Sequence, residues 1–247
     1  MKLALPLAGP VVDTHCHMDV SFDDEYVLPD VKEAMAAAKS VNVTKVIQVG
    51  CDVASSKWAA KTALEHPDVW ATVALHPNAA AHDTDLENSL LAIAELAKLP
   101  QVRGLGETGL DYYRTEESQA AAQHVSFRAH IDIAREVGKP VIIHDRDAHK
   151  DVIETLETYG APETVVFHCF SGDAEMAKVC AQAGWYMSIP GVVTFKNAQQ
   201  LLDAVLEIPD HLLLVETDSP FLTPAPNRGQ ANSSANIPWT VRAICEV

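Results

Sequence analysis

The chain has 247 residues, 48% of them hydrophobic and 21% charged, an apolar content that supports a buried core and excludes a disordered polymer. Thirty-four acidic residues against 18 basic ones leave a formal charge of −16. That charge excludes a broad basic face for non-specific nucleic-acid binding, although a phosphate can still be accepted through bound metal ions.

No apolar run approaches the roughly 18–20 residues that span a bilayer, so no membrane partner is expected. The five scattered cysteines, Cys16, Cys51, Cys169, Cys180 and Cys245, contain no CxxC pair, and a reducing cytoplasm is expected rather than a disulfide framework. The opening segment is broken by Pro6 and Pro10 and does not read as a signal peptide.

From the N-terminus, strand-like runs fall at 11–17, 45–50, 70–76, 102–111, 140–145, 165–171, 185–191 and 212–218. Each is short, apolar and rich in β-branched residues. Segments of helical period fall between them, at 30–40, 54–66, 85–99, 116–137, 148–159, 174–183 and 197–206, and another begins at Trp239. Eight strand–helix units in strict alternation predict a parallel sheet, and eight is the number that closes a (β/α)8 TIM barrel. The rival α/β fold, a doubly wound open sheet, usually needs fewer strands and a glycine-rich loop after the first. Here that loop begins His17-Met18-Asp19-Val20-Ser21. With no Pro/Gly/Ser-rich linker, 1–247 is expected to form a single barrel domain. The longest irregular stretch, 220–238, is of a length usually reserved for function. The chain stops at Val247, about two turns into the last helix, which suggests a shortened C-terminus.

Alternation along strand one puts His15 and His17 on one face, toward the barrel interior, and Cys16 toward the helices. Both imidazoles stand at the C-terminal end of that strand, where barrel active sites are built; for these two alone, a pair of hydrogen-bonded histidines is the plain alternative. Other strands end in a similar way. Strand four closes as Gly104-Leu105-Gly106-Glu107-Thr108-Gly109, strand five as Ile142-Ile143-His144, strand six as Val166-Phe167-His168, and strand eight as Val215-Glu216-Thr217-Asp218. A carboxylate buried there alone is costly, and bound cations, whose usual ligands are carboxylates and imidazoles, remove that cost. Closure puts strand eight beside strand one, while strands four, five and six are consecutive. The expectation is a binuclear centre, with one divalent ion on His15, His17, Glu107 and Asp218 and a second on Glu107, His144 and His168. Glu107 would bridge ions roughly 3.5–4 Å apart. The histidines favour zinc or manganese over magnesium.

Four motifs make the chain resemble the TatD family of metal-dependent hydrolases, within the amidohydrolase-like barrels. They are Val12-Asp13-Thr14-His15-Cys16-His17, Gly106-Glu107-Thr108-Gly109-Leu110-Asp111, Pro140-Val141-Ile142-Ile143-His144-Asp145-Arg146, and Glu216-Thr217-Asp218-Ser219-Pro220. His168-Cys169-Phe170-Ser171-Gly172 and Leu75-His76-Pro77 look like the family too, and the likeness runs from about 11 to 239. The resemblance implies a (β/α)8 fold, divalent metals, and hydrolysis of DNA phosphodiesters, often described as 3′-to-5′ exonuclease activity on DNA ends. It also implies the same ligands, His15, His17, Glu107, His144, His168 and Asp218. Two features depart from the family: Lys150 stands where an acid is common, with Asp151 next to it, and the C-terminus comes early.

In the mechanism expected from these residues, Asp218 orients a water acidified by the cations and takes its proton. Arg146 either holds a substrate phosphate by a forked contact or is a solvated surface arginine. Glu216 is expected to buttress a ligand histidine, and Asp13 and Asp111 either do likewise or cap turns. His76, ending strand three, is a substrate contact or a hydrogen-bonded wall residue. Tyr112 and Tyr113 stack on a base or simply pack. Cys16 and Cys169 are expected in the core, facing the helices.

Three other functions compete. An amidohydrolase acting on a cyclic amide, lactone or phosphotriester commonly bridges its metals with a modified lysine at the end of strand four, where this chain has Glu107. A D-aminoacyl-tRNA deacylase role is allowed by the same resemblance, and the negative charge suits a small or end-on nucleic-acid substrate. A non-catalytic, metal-stabilised binding module is disfavoured by the full ligand set.

Overall fold

Strands alternate with helices along the chain in the computed structural model, which describes residues 2–247. The strands are β1 (Val11–Cys16), β2 (Val43–Val49), β3 (Val69–Val73), β4 (Val102–Asp111), β5 (Val141–Arg146), β6 (Val165–Phe167), β7 (Tyr186–Ile189) and β8 (Leu213–Val215). The α-helices are α1 (Val31–Lys39), α2 (Val53–Glu65), α3 (Pro77–His82), α4 (Leu86–Ala97), α5 (Glu117–Val137), α6 (His149–Thr155), α7 (Ala174–Gln182), α8 (Gln199–Val205) and α9 (Ile237–Cys245). The strands follow one another in the sheet in chain order, β1 to β8, which is the order of a (β/α)8 barrel. Contacts gather the chain into two compact units, Met1–Gln48 with Gly172–Val247, and Val49–Ser171.

In the first unit β1 runs parallel to β2, with Val11 opposite Val43 and Cys16 opposite Gln48. There β7 runs parallel to β8, with Met187 opposite Leu213 and Ile189 opposite Val215. Beyond β8 the chain meets β1 again through a bridge between Cys16 and Ser219. Around it Asp218 N donates to His15 O at 2.9 Å and His17 N donates to Ser219 O at 2.8 Å. Val43, Val46, Met187 and Ile189 are buried, each such side chain contributing about 1.5–3 kcal/mol of hydrophobic stabilisation. Asp30 caps α1 by accepting from Lys32 N, and Asp173 caps α7 by accepting from Met176 N.

In the second unit β3 to β6 pair in parallel, Val73 opposite Leu105, His144 opposite Gly109, and Ile143 opposite Phe167. Leu105, Leu110, Phe127, Ile131, Ile143 and Phe167 form its core. Asp52 and Ser55 close a reciprocal capping box on α2, and α5 ends on Gly138 in the left-handed conformation, φ 64°. Gly109 has φ +139°, and a Cβ there would lie 2.1 Å from His144 O. Only glycine lets β4 come so near β5 beside that histidine.

Several boundaries differ from the sequence reading. The third, sixth and eighth strands end at Val73, Phe167 and Val215, short of 76, 171 and 218. His76, His168, Glu216 and Asp218 therefore stand on the turns that follow, where the ladder stops and the backbone is free to re-aim a side chain. Asp218 itself has φ 52°. A short helix, α3, occupies 77–82 where none was expected, begun by Pro77 at its first position. The irregular 220–238 stretch contains a 3-10 turn at Ser234–Asn236, and the last helix begins at Ile237 rather than at 239.

Candidate metal centre

The first unit supplies three donors from β1 and the turn after β8. His15 and His17 are buried, their Nε2 atoms 3.2 Å apart and their rings edge to face. Asp218 Oδ1 lies 3.9 Å from His15 Nε2 and 3.4 Å from His17 Nε2, so one carboxylate oxygen and two imidazoles converge. Glu216, fully buried, brings a carboxylate oxygen within 4.8 Å of a His15 ring nitrogen.

Asp13 acts differently. It accepts from Thr217 Oγ1 at 2.6 Å, Thr217 N at 2.9 Å and His15 N at 3.3 Å, holding a hydroxyl and two backbone amides rather than an imidazole. Burial pushes its carboxyl up to about 6 against the pull of those hydrogen bonds. Cys16 is buried, as expected, and its thiol donates to Ile47 O. His17 also lines a cavity of about 190 Å³ with Met18, Leu28, Met35 and Pro220, and with Glu33 among its polar groups.

The second unit gathers its donors on Glu107. The register between β4 and β5 shifts between Leu105 and Thr108, the kind of irregularity that redirects a side chain. Glu107 is buried, and its Oε2 lies 2.8 Å from His168 Nε2, 2.9 Å from His144 Nδ1 and 3.9 Å from His76 Nε2. On its other face, His144 Nε2 donates to Asp111 Oδ2 at 3.2 Å. Burial alone would lower the His144 imidazole, but the hydrogen bonds to Asp111 and Glu107 outweigh it and raise it above its ordinary value. Asp111 also accepts from Tyr113 N and Arg114 N. Burial would raise its carboxyl, but the His144 contact and the Arg114 amide lower it well below the carboxylate range. Asp111 thus both caps a turn and braces a histidine.

His76 caps α3, its Nδ1 accepting from Asn78 N at 3.1 Å, rather than ending strand three. The neutral ring then carries its proton on Nε2, 3.3 Å from His144 Nδ1. Burial pushes it down to about 4, against the opposing pull of Glu107, so it stays neutral at pH 7.

The remaining candidates lie farther out. Tyr112 OH is 2.7 Å from Asp151 Oδ2 and 2.9 Å from His124 Nε2. Arg146 is exposed, its guanidinium 4.4 Å from the centre of the Tyr113 ring. Cys169 is half-buried with φ 44°, not the core residue expected, because β6 ends before it and its side chain leaves the strand's alternation. Cys51 is inconspicuous in the sequence, yet its Sγ lies 3.5 Å from Glu107 Oε1. Its position at the end of the second strand was the available signal.

The described residues thus include His, Asp and Glu groups that could hold a metal ion. The donor set fits: imidazoles and carboxylates are the usual ligands of divalent cations, and a buried carboxylate among imidazoles gains from a positive charge. Among the described residues no helix is long and apolar enough to cross a membrane.

Residues 12–247 match the family described as TatD related DNase. A Mycobacterium tuberculosis protein, described as the uncharacterized metal-dependent hydrolase TatD, is 44% identical over 96% of this chain and 90% of its own. The uncharacterized metal-dependent hydrolase YabD of Bacillus subtilis is 38% identical over 95% of this chain and 90% of its own. Among solved structures, YJJV, a TatD homolog from Escherichia coli K12, superposes with a TM-score of 0.87 at 26% identity, covering 96% of this chain and 89% of that one. The fold is therefore the (β/α)8 barrel anticipated from the sequence.

Proposed function

The chain belongs to the TatD family of metal-dependent hydrolases, and we propose that it cleaves phosphodiester bonds at DNA ends. The observation that carries this reading is Glu107, buried with His168 and His144 nitrogens at 2.8 and 2.9 Å from one oxygen. His15, His17 and Asp218 in the first unit, and Glu107, His144 and His168 in the second, are the proposed ligands of two divalent ions. Such ions supply Lewis acidity to a phosphoryl oxygen and acidify water.

The protein's own groups do the rest. Asp218 orients the attacking water and accepts its proton. Asp111 fixes the His144 ring, and Glu216 supports His15. His76, neutral and protonated on Nε2, turns that proton toward His144 Nδ1 and forms a hydrogen-bonded wall of the site. Arg146, stacked on Tyr113, offers a guanidinium to the phosphate backbone. The apolar cavity beside His17 suits an uncharged, flat group such as a base, and Glu33 in its lining disfavours a second phosphate there. The charge of −16 favours contact with an end over wrapping of a duplex. We place the protein in the cytoplasm, where cysteines remain thiols.

The test is hydrolysis of end-labelled single-stranded DNA and of D-aminoacyl-tRNA by purified protein with Mg²⁺, Mn²⁺ or Zn²⁺. DNA is expected to be shortened, and Glu107→Ala to abolish turnover. Cleavage of the aminoacyl ester alone would replace the nuclease reading with a deacylase. Undiminished hydrolysis by Glu107→Ala would overturn the role of Glu107.

A further inference from the structure

Glu107 has two carboxylate oxygens in different company. Oε2 faces the imidazoles of His168, His144 and His76, whereas Oε1 accepts from the Cys51 thiol at 3.5 Å. The backbone that carries the thiol is held in place. Cys51 N donates to Ser55 Oγ at 2.9 Å, and Cys51 O accepts from His76 N at 2.8 Å. Gly50 just before it is packed so closely that a Cβ would lie 2.5 Å from Ser56 Cα. Rotation of the Cys51 side chain is therefore the main freedom left at this position.

The spacing has a chemical meaning. In a tetrahedral zinc site with Zn–S of about 2.3 Å and Zn–O of about 2.1 Å, the sulfur and oxygen stand about 3.6 Å apart. Cys51 Sγ and Glu107 Oε1 are 3.5 Å apart. We propose that Cys51 and Glu107 Oε1 share a cation, with Cys51 as a thiolate ligand that makes this position selective for a thiophilic ion such as zinc over magnesium. On binding, the cation takes the place of the thiol proton between sulfur and oxygen, and that proton leaves to solvent. Sulfur is a soft donor that favours zinc, while magnesium keeps oxygen ligands. The inference rests on the reading of Glu107 as a metal ligand and adds to it a sulfur donor and the metal preference that sulfur brings.

Cobalt(II) makes the test independent of catalysis. Metal-depleted protein is reloaded with Co²⁺, bound cobalt is counted by elemental analysis, and near-ultraviolet absorption is recorded for the thiolate-to-cobalt charge-transfer band. Wild type and Cys169→Ser are expected to show the band, and Cys51→Ser to lose it while retaining cobalt. In zinc–magnesium competition, Cys51→Ser is expected to lose about tenfold or more of its preference for zinc, the scale associated with one contact in a metal site. Cobalt retained by wild type without the band, or a band that survives in Cys51→Ser, overturns the thiolate ligand and leaves the Glu107 site standing. Failure of wild type to retain cobalt overturns both readings.

Discussion

Asp13 accepts from both the hydroxyl and the amide of Thr217, at 2.6 and 2.9 Å, and thereby ties the first strand to the residue that precedes Asp218. The pair sets where Asp218 stands relative to His15 and His17. Thr217→Val removes the hydroxyl donor at nearly constant volume and leaves a buried carboxyl with one partner fewer. It should lower stability by about 1–3 kcal/mol, read by urea unfolding. Turnover should fall as well, because the turn bearing Asp218 loses an anchor. Unchanged unfolding and unchanged turnover would show that the hydroxyl contact positions nothing.

Asp111 braces His144 from the side opposite Glu107. Asp111→Asn keeps an oxygen for the amides of Tyr113 and Arg114 but removes the negative charge that holds the imidazole. Loss of such a partner typically costs about 10–100-fold in metal affinity or activity. Metal titration followed by calorimetry should show weaker binding with little change in melting temperature. A large fall in melting temperature with affinity intact would assign Asp111 to the turn alone.

His130 provides a pH dependence away from the proposed ligands. Its Nε2 accepts from Leu75 N at 3.1 Å and its Nδ1 donates to Ser126 O at 2.7 Å, so the neutral ring fixes the segment leading to His76. Burial pushes this imidazole down from 6.5 to about 4, opposed only in part by the Ser126 carbonyl. The folded state thus disfavours the proton that the unfolded chain binds. The stabilisation is complete above pH 6.5 and is lost as pH falls through 4, a change of about 3 kcal/mol. Unfolding at pH 7 and pH 4.5 should reveal the loss, and His130→Gln, which has no titration, should flatten that part of the profile. An equal slope in the variant would place the acid sensitivity elsewhere.

Much of the site was legible along the chain because strand periodicity carries burial. His15, Glu107, His144, His168 and Asp218 each follow a run that must be inside, so their polarity is conspicuous. Cys51 is inconspicuous for the opposite reason. A cysteine after an apolar run looks like core, and nothing near it in the sequence signals the carboxylate 56 positions away. His76 was placed at a strand end, whereas Pro77 begins a helix that turns its imidazole into a cap. The alternatives for Asp13 are separated by its partner, Thr217, which lies 204 positions along the chain.

Sequence alone determined the alternation of strands and helices, the barrel class and the residue types gathered at the strand ends, because apolar period and turn chemistry are local properties. Tertiary structure decided where each hydrogen-bond ladder stops, which oxygen of Glu107 meets imidazole and which meets thiol, and which acids brace a histidine or hold backbone. Those outcomes depend on contacts between distant segments, whose distances and directions a local pattern does not encode.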